Sequence, residues 1–567
     1  MPDLRTRELW VLPQDPGVRR NGQILTARVA IPYEDVEPGP IGHRVQVVDY
    51  DSSTQTLYKP APLADAGDRP PRNAEILGDP AFHAQNAYAL VMRTLARFEQ
   101  ALGRRVSWGF RGHQLKVIPH AFEEMNAFYS REAESLLFGY YRGANGLTFM
   151  SLSQDIVVHE TSHALLDGLR SRFMDPSSAD QAAFHEAFAD IVALLSVFSF
   201  GDVLRALVER DARADDDDTP AGLIGTERTT MPALMRSVLL GLADEMKGEA
   251  GLGRIGALRR SVEIEPDVAI LTRDDDFQEE HRRGEVLVAA VMRAFVSAWT
   301  ARLGSLGTIE KRYLDLGRVA EEGATIADLM LTMAIRALDY TPPIHLSFGD
   351  YLSAMITADT EIRSSDSRYG LRTELLDWFG RYGITPASET ADGLWERSDL
   401  ELGRDGVRFG SLQTDAIEMF RLVWANRRAL HFDPTAYTQV SSVRPCTRVS
   451  PEDGFFLRET VAECVQYVSI RASELSRYGL HKPDGMDGET QLDLLGGSTL
   501  VLDEYGTLKF EIHNRLPSRS GDVRDRAQAR LDYLWTHGFF LNRGSARLAT
   551  IHRLRAGQAM AQLNEVW

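Results

Sequence analysis

Between Asp155 and Leu166 the chain reads DIVVHETSHALL, an apolar stretch without Gly or Pro that holds two histidines and a glutamate. Ile156, Val157, Leu165 and Leu166 predict a buried helix, and a buried helix must account for every polar side chain it carries. His159 and His163 are four residues apart and share a helix face, so both imidazoles can reach one zinc ion. Glu160 is turned about 100° from His159 around the axis, where its carboxylate can take a proton from water at that metal.

A catalytic zinc takes three protein ligands and keeps one position open. Downstream, Phe184-His185-Glu186-Ala187-Phe188-Ala189-Asp190-Ile191 places Glu186 and Asp190 four apart. Phe184, Ala187, Ile191, Leu194 and Leu195 would seat that helix against the first. Glu186 completes a His₂Glu site, and Asp190 can accept the free N–H of a ligand histidine and fix its tautomer. His185 is the rival ligand, but its neighbour has the better-placed i+4 partner. The expectation is one zinc per chain, held by His159, His163 and Glu186.

Composition narrows the setting. The 567 residues are 44% apolar and 25% charged, ordinary globular values that leave room for several domains. Against 63 Lys and Arg stand 81 Asp and Glu, a net charge of −18 that repels phosphate backbones, so nucleic acid is not an expected partner. Two cysteines, Cys446 and Cys464, cannot staple a chain of this length. No uninterrupted apolar run is long enough to span a membrane, and charges interrupt the first twenty residues where a secretory leader needs an apolar core. A cytoplasmic protein is expected.

Along the chain, residues 1–40 read as an N-terminal extension and 41–155 as a β-rich lobe, with β-prone runs at His43–Tyr50, Thr56–Tyr58, Gln114–Pro119 and Leu147–Leu152. Ala81–Leu102 has helical periodicity, and 156–365 is a helix-rich lobe. A boundary near 365 opens a mixed α/β C-terminal domain, 366–567. Helices are expected there at Thr414–Ala429, Phe456–Tyr478 and Val523–Thr536, and a hairpin over Thr499–Ile512 turning at Glu504–Gly506. Apolar residues Met419, Phe420, Leu422, Val423 and Trp424 need covering by a core of its own, by self-association or by a regulatory partner. The acidic runs Asp215–Asp218 and Asp274–Asp276 admit calcium, with a solvated loop the simpler reading of the first.

From about residue 40 to 365 the chain resembles the thermolysin-like metallopeptidases of the gluzincin clan. Beyond the zinc motif, Asn126-Ala127-Phe128-Tyr129 is similar to the family's substrate-binding edge strand, and Thr148–Ser153 to the strand leading into the zinc helix. Glu186-Ala187-x-x-Asp190 resembles the third-ligand segment, and Tyr340-Thr341-Pro342-Pro343 with Phe348 and Asp350 the closing loop and helix. The family stabilises its tetrahedral intermediate with a histidine oriented by an aspartate. Asp276 and His281 have the matching spacing, with His345 the runner-up histidine. Arg228 is a weaker match to the arginine that binds a substrate carbonyl. The resemblance implies an α+β, two-lobed fold with the zinc helix on the cleft floor. It also implies endopeptidase action on a peptide or protein, with Phe149 and Ile156 as candidate pocket walls.

The departures are local. Twenty-two residues separate His163 from Glu186, and the loop Arg170–Gln181 offers Phe173 and Met174 where relatives carry an oxyanion tyrosine. Asp155 matches a calcium ligand of the family whose partner is replaced here by Val197, which puts calcium in doubt. Two other readings share the motif: a restrained or inactive zinc protein that binds a partner, and an amidase acting on something other than peptide.

Overall fold

The computed structural model describes residues 5–539, apart from 18, 21, 68, 144–145, 214–218, 241–260, 262, 274, 451–453 and 518–520. The architecture is mixed α+β. Strand β1 (Thr6–Val11) pairs antiparallel with β2 (Ala27–Pro32), and the alternate residues Leu9, Val11, Val29 and Ile31 enter the main core. Within residues 1–40, expected as an extension, the described strands β1 and β2 thus contribute to the main core. Their period-two apolar pattern leaves one face that must be covered.

A five-stranded mixed sheet follows. It contains β3 (Val45–Val47), and the connection from β3 carries helix α1 (Pro80–Leu102), which starts on an Asp79 cap and stops at left-handed Gly103. Strands β4 (Leu115–Glu123), β5 (Ala127–Ser130), β6 (Ser135–Gly143) and β7 (Gly146–Phe149) complete the sheet. β3 and β6 run parallel to β4 on either side, while β5 and β7 pair antiparallel with successive halves of β6. β5 is therefore an edge strand. A register shift at Gly139 lets its N–H reach Asn126 O at 2.8 Å, and a Cβ there would lie 2.1 Å from Glu124 O, so the approach requires glycine.

The helical layer comprises α2 (Gln154–Leu169), α3 (Ala179–Phe198), α4 (Glu280–Gly304), α5 (Leu316–Ala337), α6 (Phe348–Thr360) and α7 (Leu371–Arg381). α2 lies against α1 and α3, and α3 also packs on α4 and α5. By length and composition α3 and α4 could each cross a membrane, a property that scanning for one unbroken apolar run did not reveal. They are core helices, with 94% and 72% of their most apolar windows buried, and a helix covered on all sides is apolar all round.

No break in the core occurs at 365. Leu371, Leu375, Trp378 and Phe379 of α7 belong to the main core, as do Tyr382 and Ile384. Beyond them α8 (Ala416–Ala425) covers one face of a four-stranded antiparallel sheet, β8 (Tyr437–Val449), β9 (Phe456–Arg471), β10 (Gln491–Asp503) and β11 (Leu508–Asn514), and α9 (Gly521–Thr536) follows. Leu500 and Leu502 face α8, whereas Val501 between them joins Phe510 and Ile512 in the main core. The segment Phe456–Tyr478, expected to be helical, is instead the central strand β9 followed by a 3-10 turn at Ala472–Tyr478. Burial on both faces from Glu459 to Gln466, with Glu459, Thr460, Glu463 and Gln466 buried alongside Val461, Ala462, Cys464 and Val465, erases the polar–apolar alternation by which a strand period is read. The hairpin, the helix near 416 and the helix near 523 fall where periodicity put them.

Candidate metal centre

Three side chains from two helices meet beneath the edge strand. His159 and His163 project from one face of α2, and Glu186 projects from α3 toward them. His159 Nε2 lies 3.6 Å from Glu186 Oε2, and His163 Nε2 lies 3.4 Å from Glu186 Oε1. All three are buried, with their ligand atoms within 4.8 Å of one another, and among the described residues they are the one such group. Ligand atoms bound about 2.1 Å from a tetrahedral centre stand about 3.4 Å apart, so the spacing fits a four-coordinate ion. Two imidazoles and a carboxylate are a donor set that suits zinc.

The tautomer is set from behind. His159 Nδ1 is 2.7 Å from Asp190 Oδ1, which directs its N–H to that carboxylate and its Nε2 lone pair toward Glu186. His185 does not enter the group. Its ring stacks on His163 with centroids 4.5 Å apart and planes 11° apart, which holds the second ligand in place.

Glu160 is fully buried, and its Oε2 accepts a 3.0 Å hydrogen bond from the backbone N–H of Tyr129 on β5. Asp167 is seven residues on, two turns along the same face of α2. It accepts from Tyr129 Oη at 2.8 Å and from Arg131 Nε at 2.7 Å. The edge strand is thus clamped to α2 at two points. Tyr129 is expected from sequence only as part of the edge strand, and Asp167 is not singled out there, although the seven-residue interval from Glu160 to Asp167 is legible on a helical projection. Ala127 lies on this strand, and Asn126 immediately before it is 2% exposed. Both side-chain amide atoms of Asn126 lack a hydrogen-bond partner among the described residues.

His281 opens α4. Its Nδ1 and backbone N–H both engage Glu279, the helix N-cap, while Asp276 lies in the preceding 3-10 turn. The expected orienting aspartate is therefore replaced by a glutamate two residues from the histidine, because the cap brings that carboxylate onto the ring. Burial opposes ionisation of Glu279, but the His281 bonds and the Arg282 N–H override it and hold its carboxyl down to about 2. His281 Nε2 is buried and has no hydrogen-bond partner among the described residues. One turn on, a Cβ at Gly284 would lie 3.1 Å from Ala183 O, so this end of α4 rests on α3 one turn before Glu186.

Other expected residues lie elsewhere or do other work. Arg228 is half-buried on a 3-10 turn tied to Arg312 O through Thr226 N at 3.0 Å. His345, at a φ of 58°, bonds Leu495 O at 3.3 Å, and burial pushes its pKa well below the usual histidine value. Phe173, in the loop that lacks a tyrosine, packs edge-on against Phe184 in the main core. Phe149 packs against His83, 4.6 Å between centroids, and Ile156 is a core residue. Asp155 takes the Ser153 hydroxyl, while Val197 is buried in the main core. Asp215–Asp218 and Asp274 are outside the described residues.

Asp15 is a further titratable group at this helix start. Burial, aided by the Asp155 charge and opposed by bonds from Gly17 and Ser153, pushes its carboxyl up to about 7. No protein-family model matches the chain, and no curated protein matches it.

Proposed function

We propose that this protein is a zinc-dependent peptide hydrolase, an endopeptidase of thermolysin-like organisation. The observation that carries the reading is the buried His159–His163–Glu186 group with Glu160 beside it, held by the backbone of an edge strand. On this reading 41–155 and 156–365 form the two lobes, and α2 floors the cleft between them. A zinc ion bound there supplies Lewis acidity, which lowers the pKa of water and polarises a carbonyl.

The chain's own residues do the rest. An extended substrate lies along β5, where the side-chain amide of Asn126 offers both a donor and an acceptor. Glu160, oriented by Tyr129 N–H, takes the proton of the attacking water and returns it to the leaving amine. His281 is held by Glu279 at Nδ1 and turns Nε2 toward the developing oxyanion. No tyrosine assists from the Arg170–Gln181 segment, so His281 carries more of that stabilisation.

The test is metal analysis paired with cleavage of a proteome-derived peptide library, with and without chelator. About one zinc per chain and chelator-sensitive internal cuts are expected. Glu186→Ala should lose most of the metal and His185→Ala should keep it. The opposite pattern overturns the ligand set, and a zinc-loaded protein that cuts no peptide overturns the activity.

A further inference from the structure

Far along the chain from the candidate metal group, the start of β9 lies beside the turn that joins β10 to β11. Together with the end of α6 and the segment Thr390–Arg397 they enclose a cavity of about 710 Å³. None of the metal-group residues lines it.

Its rim is aromatic and open to water. Phe456 is 60% exposed and Tyr505 67%, with Phe455 beside them, while Trp395 and Phe510 form the inner wall. Large rings left in water together on one sheet end mark a surface that something covers.

The charges name the kind of occupant. Among the described residues of the lining, carboxylates outnumber cations by five to three. Arg397 pairs with Glu361 and Lys509 with both Glu361 and Glu459, and Lys509 and Arg397 stand over the Phe510 ring, 5.8 and 5.5 Å from its centroid. Asp392, Glu396, Asp503 and Glu504 make no ion pair among the described residues, and the same holds for the single cation Arg458. Aromatic faces beside carboxylates attract an ammonium or guanidinium group through the ring quadrupole and through direct charge.

We propose that this cavity is a docking site for a basic peptide segment. Its lysine or arginine side chains enter between Phe456, Tyr505 and Trp395 and meet Glu396 and Glu504. The site is independent of the hydrolase reading and would bind equally in a zinc-free protein.

The experiment uses the full chain and a short fluorescein-labelled peptide rich in Lys, Arg and Leu, read by anisotropy at low and moderate salt. A peptide with Glu at every basic position, and spermidine as a competitor, are the other arms. Saturable binding of the basic peptide is expected, weakening with salt. Phe456→Ala with Tyr505→Ala should weaken it by about tenfold or more, and Glu396→Lys with Glu504→Lys should do the same. These side chains lie on the rim, and unchanged thermal midpoints in the variants certify the fold. Glu321→Lys, a charge reversal on an exposed position of α5, should leave binding within about twofold, as a screened distant charge does. The proposal is overturned if the acidic peptide binds as well, if Glu321→Lys weakens binding as much as the rim variants, or if neither rim variant changes it. It is also overturned as a peptide site if spermidine binds in a rim-dependent way while the basic peptide does not.

Discussion

Glu160 and Asp15 show how burial sets the work of single carboxyl groups. The backbone N–H of Tyr129 donates to Glu160, and replacing Glu160 with Gln preserves size and that bond while removing the proposed base. Glu160→Gln should retain zinc at the wild-type level and lower peptide hydrolysis by about 10² or more, the usual scale for losing a general base. Near-normal turnover with metal bound would exclude Glu160 as the base. Asp15 makes the opposite case, with its carboxyl pushed up to about 7. Its neutral form suits the fold, so the benefit is fully present below pH 4 and is lost as pH rises through 7. Each unit by which the pKa is raised corresponds to about 1.4 kcal/mol. Asp15→Asn should therefore gain stability relative to wild type between pH 5 and 8, read as a difference in thermal midpoints. A constant difference across that range would show that Asp15 is ionised throughout.

At the scale of elements, the clamp between β5 and α2 would, on the proposed function, decide whether substrate and base are in register. Asp167 is wholly buried, and Tyr129 and Arg131 both donate to it. Arg131→Ala removes the charged partner and leaves the carboxylate with the tyrosine hydroxyl, a loss of about 1–3 kcal/mol for a buried group left short of a partner. Zinc content should not change. On the proposed function, kcat/KM on peptides should fall because β5 is then held two turns along the helix by Tyr129 alone. Unchanged kcat/KM with a lowered thermal midpoint would mean the clamp serves stability alone. Glycine completes the fit: a Cβ at Gly109 would lie 2.1 Å from an Asp167 carboxylate oxygen.

For the whole molecule, the C-terminal sheet is part of the frame that holds the metal helices. Arg170, the residue after α2, is buried and pairs with Glu463 of β9 at 3.0 Å, while Arg444 of β8 donates to Leu169 O at 2.8 Å. Arg448 lies between Asp339 and Glu459, and Tyr340 shares the same glutamate at 2.6 Å. Burial opposes ionisation of Asp339, and Arg104 with Arg448 overrides it and keeps the carboxyl below the ordinary range. Arg448→Met leaves two buried carboxylates short of a cation and should lower unfolding stability by about 3–5 kcal/mol, measured in denaturant. A chain ended at 365 loses α7 and the Val501, Phe510 and Ile512 contribution to the main core. It should not yield a soluble folded protein, in contrast to the separable domain that texture along the sequence suggests. A folded, zinc-binding fragment 1–365 would show that the two parts are independent after all.

The residues legible in the sequence were those whose geometry is local. His159 with His163, and Glu186 with Asp190, declare themselves because four residues on a helix return a side chain to the same face, whatever the rest of the fold does. The helices near 80, 416 and 523 and the last hairpin followed from period and turn chemistry for the same reason. Longer-range choices did not follow. Glu279 rather than Asp276 meets His281 because a helix cap turns the chain there. β9 is a strand because neighbours on both sides supply its hydrogen bonds. Leu9, Val11, Val29 and Ile31 near the start, and Leu371, Trp378, Phe379, Val501, Phe510 and Ile512 beyond 365, join the main core because their apolar faces find partners outside their own segments, while Met419 and Leu422 pack in a separate cluster. Periodicity says which side chains share a face. Only tertiary packing decides what that face meets, since burial is set by the contacts that exclude water and not by neighbours in the chain.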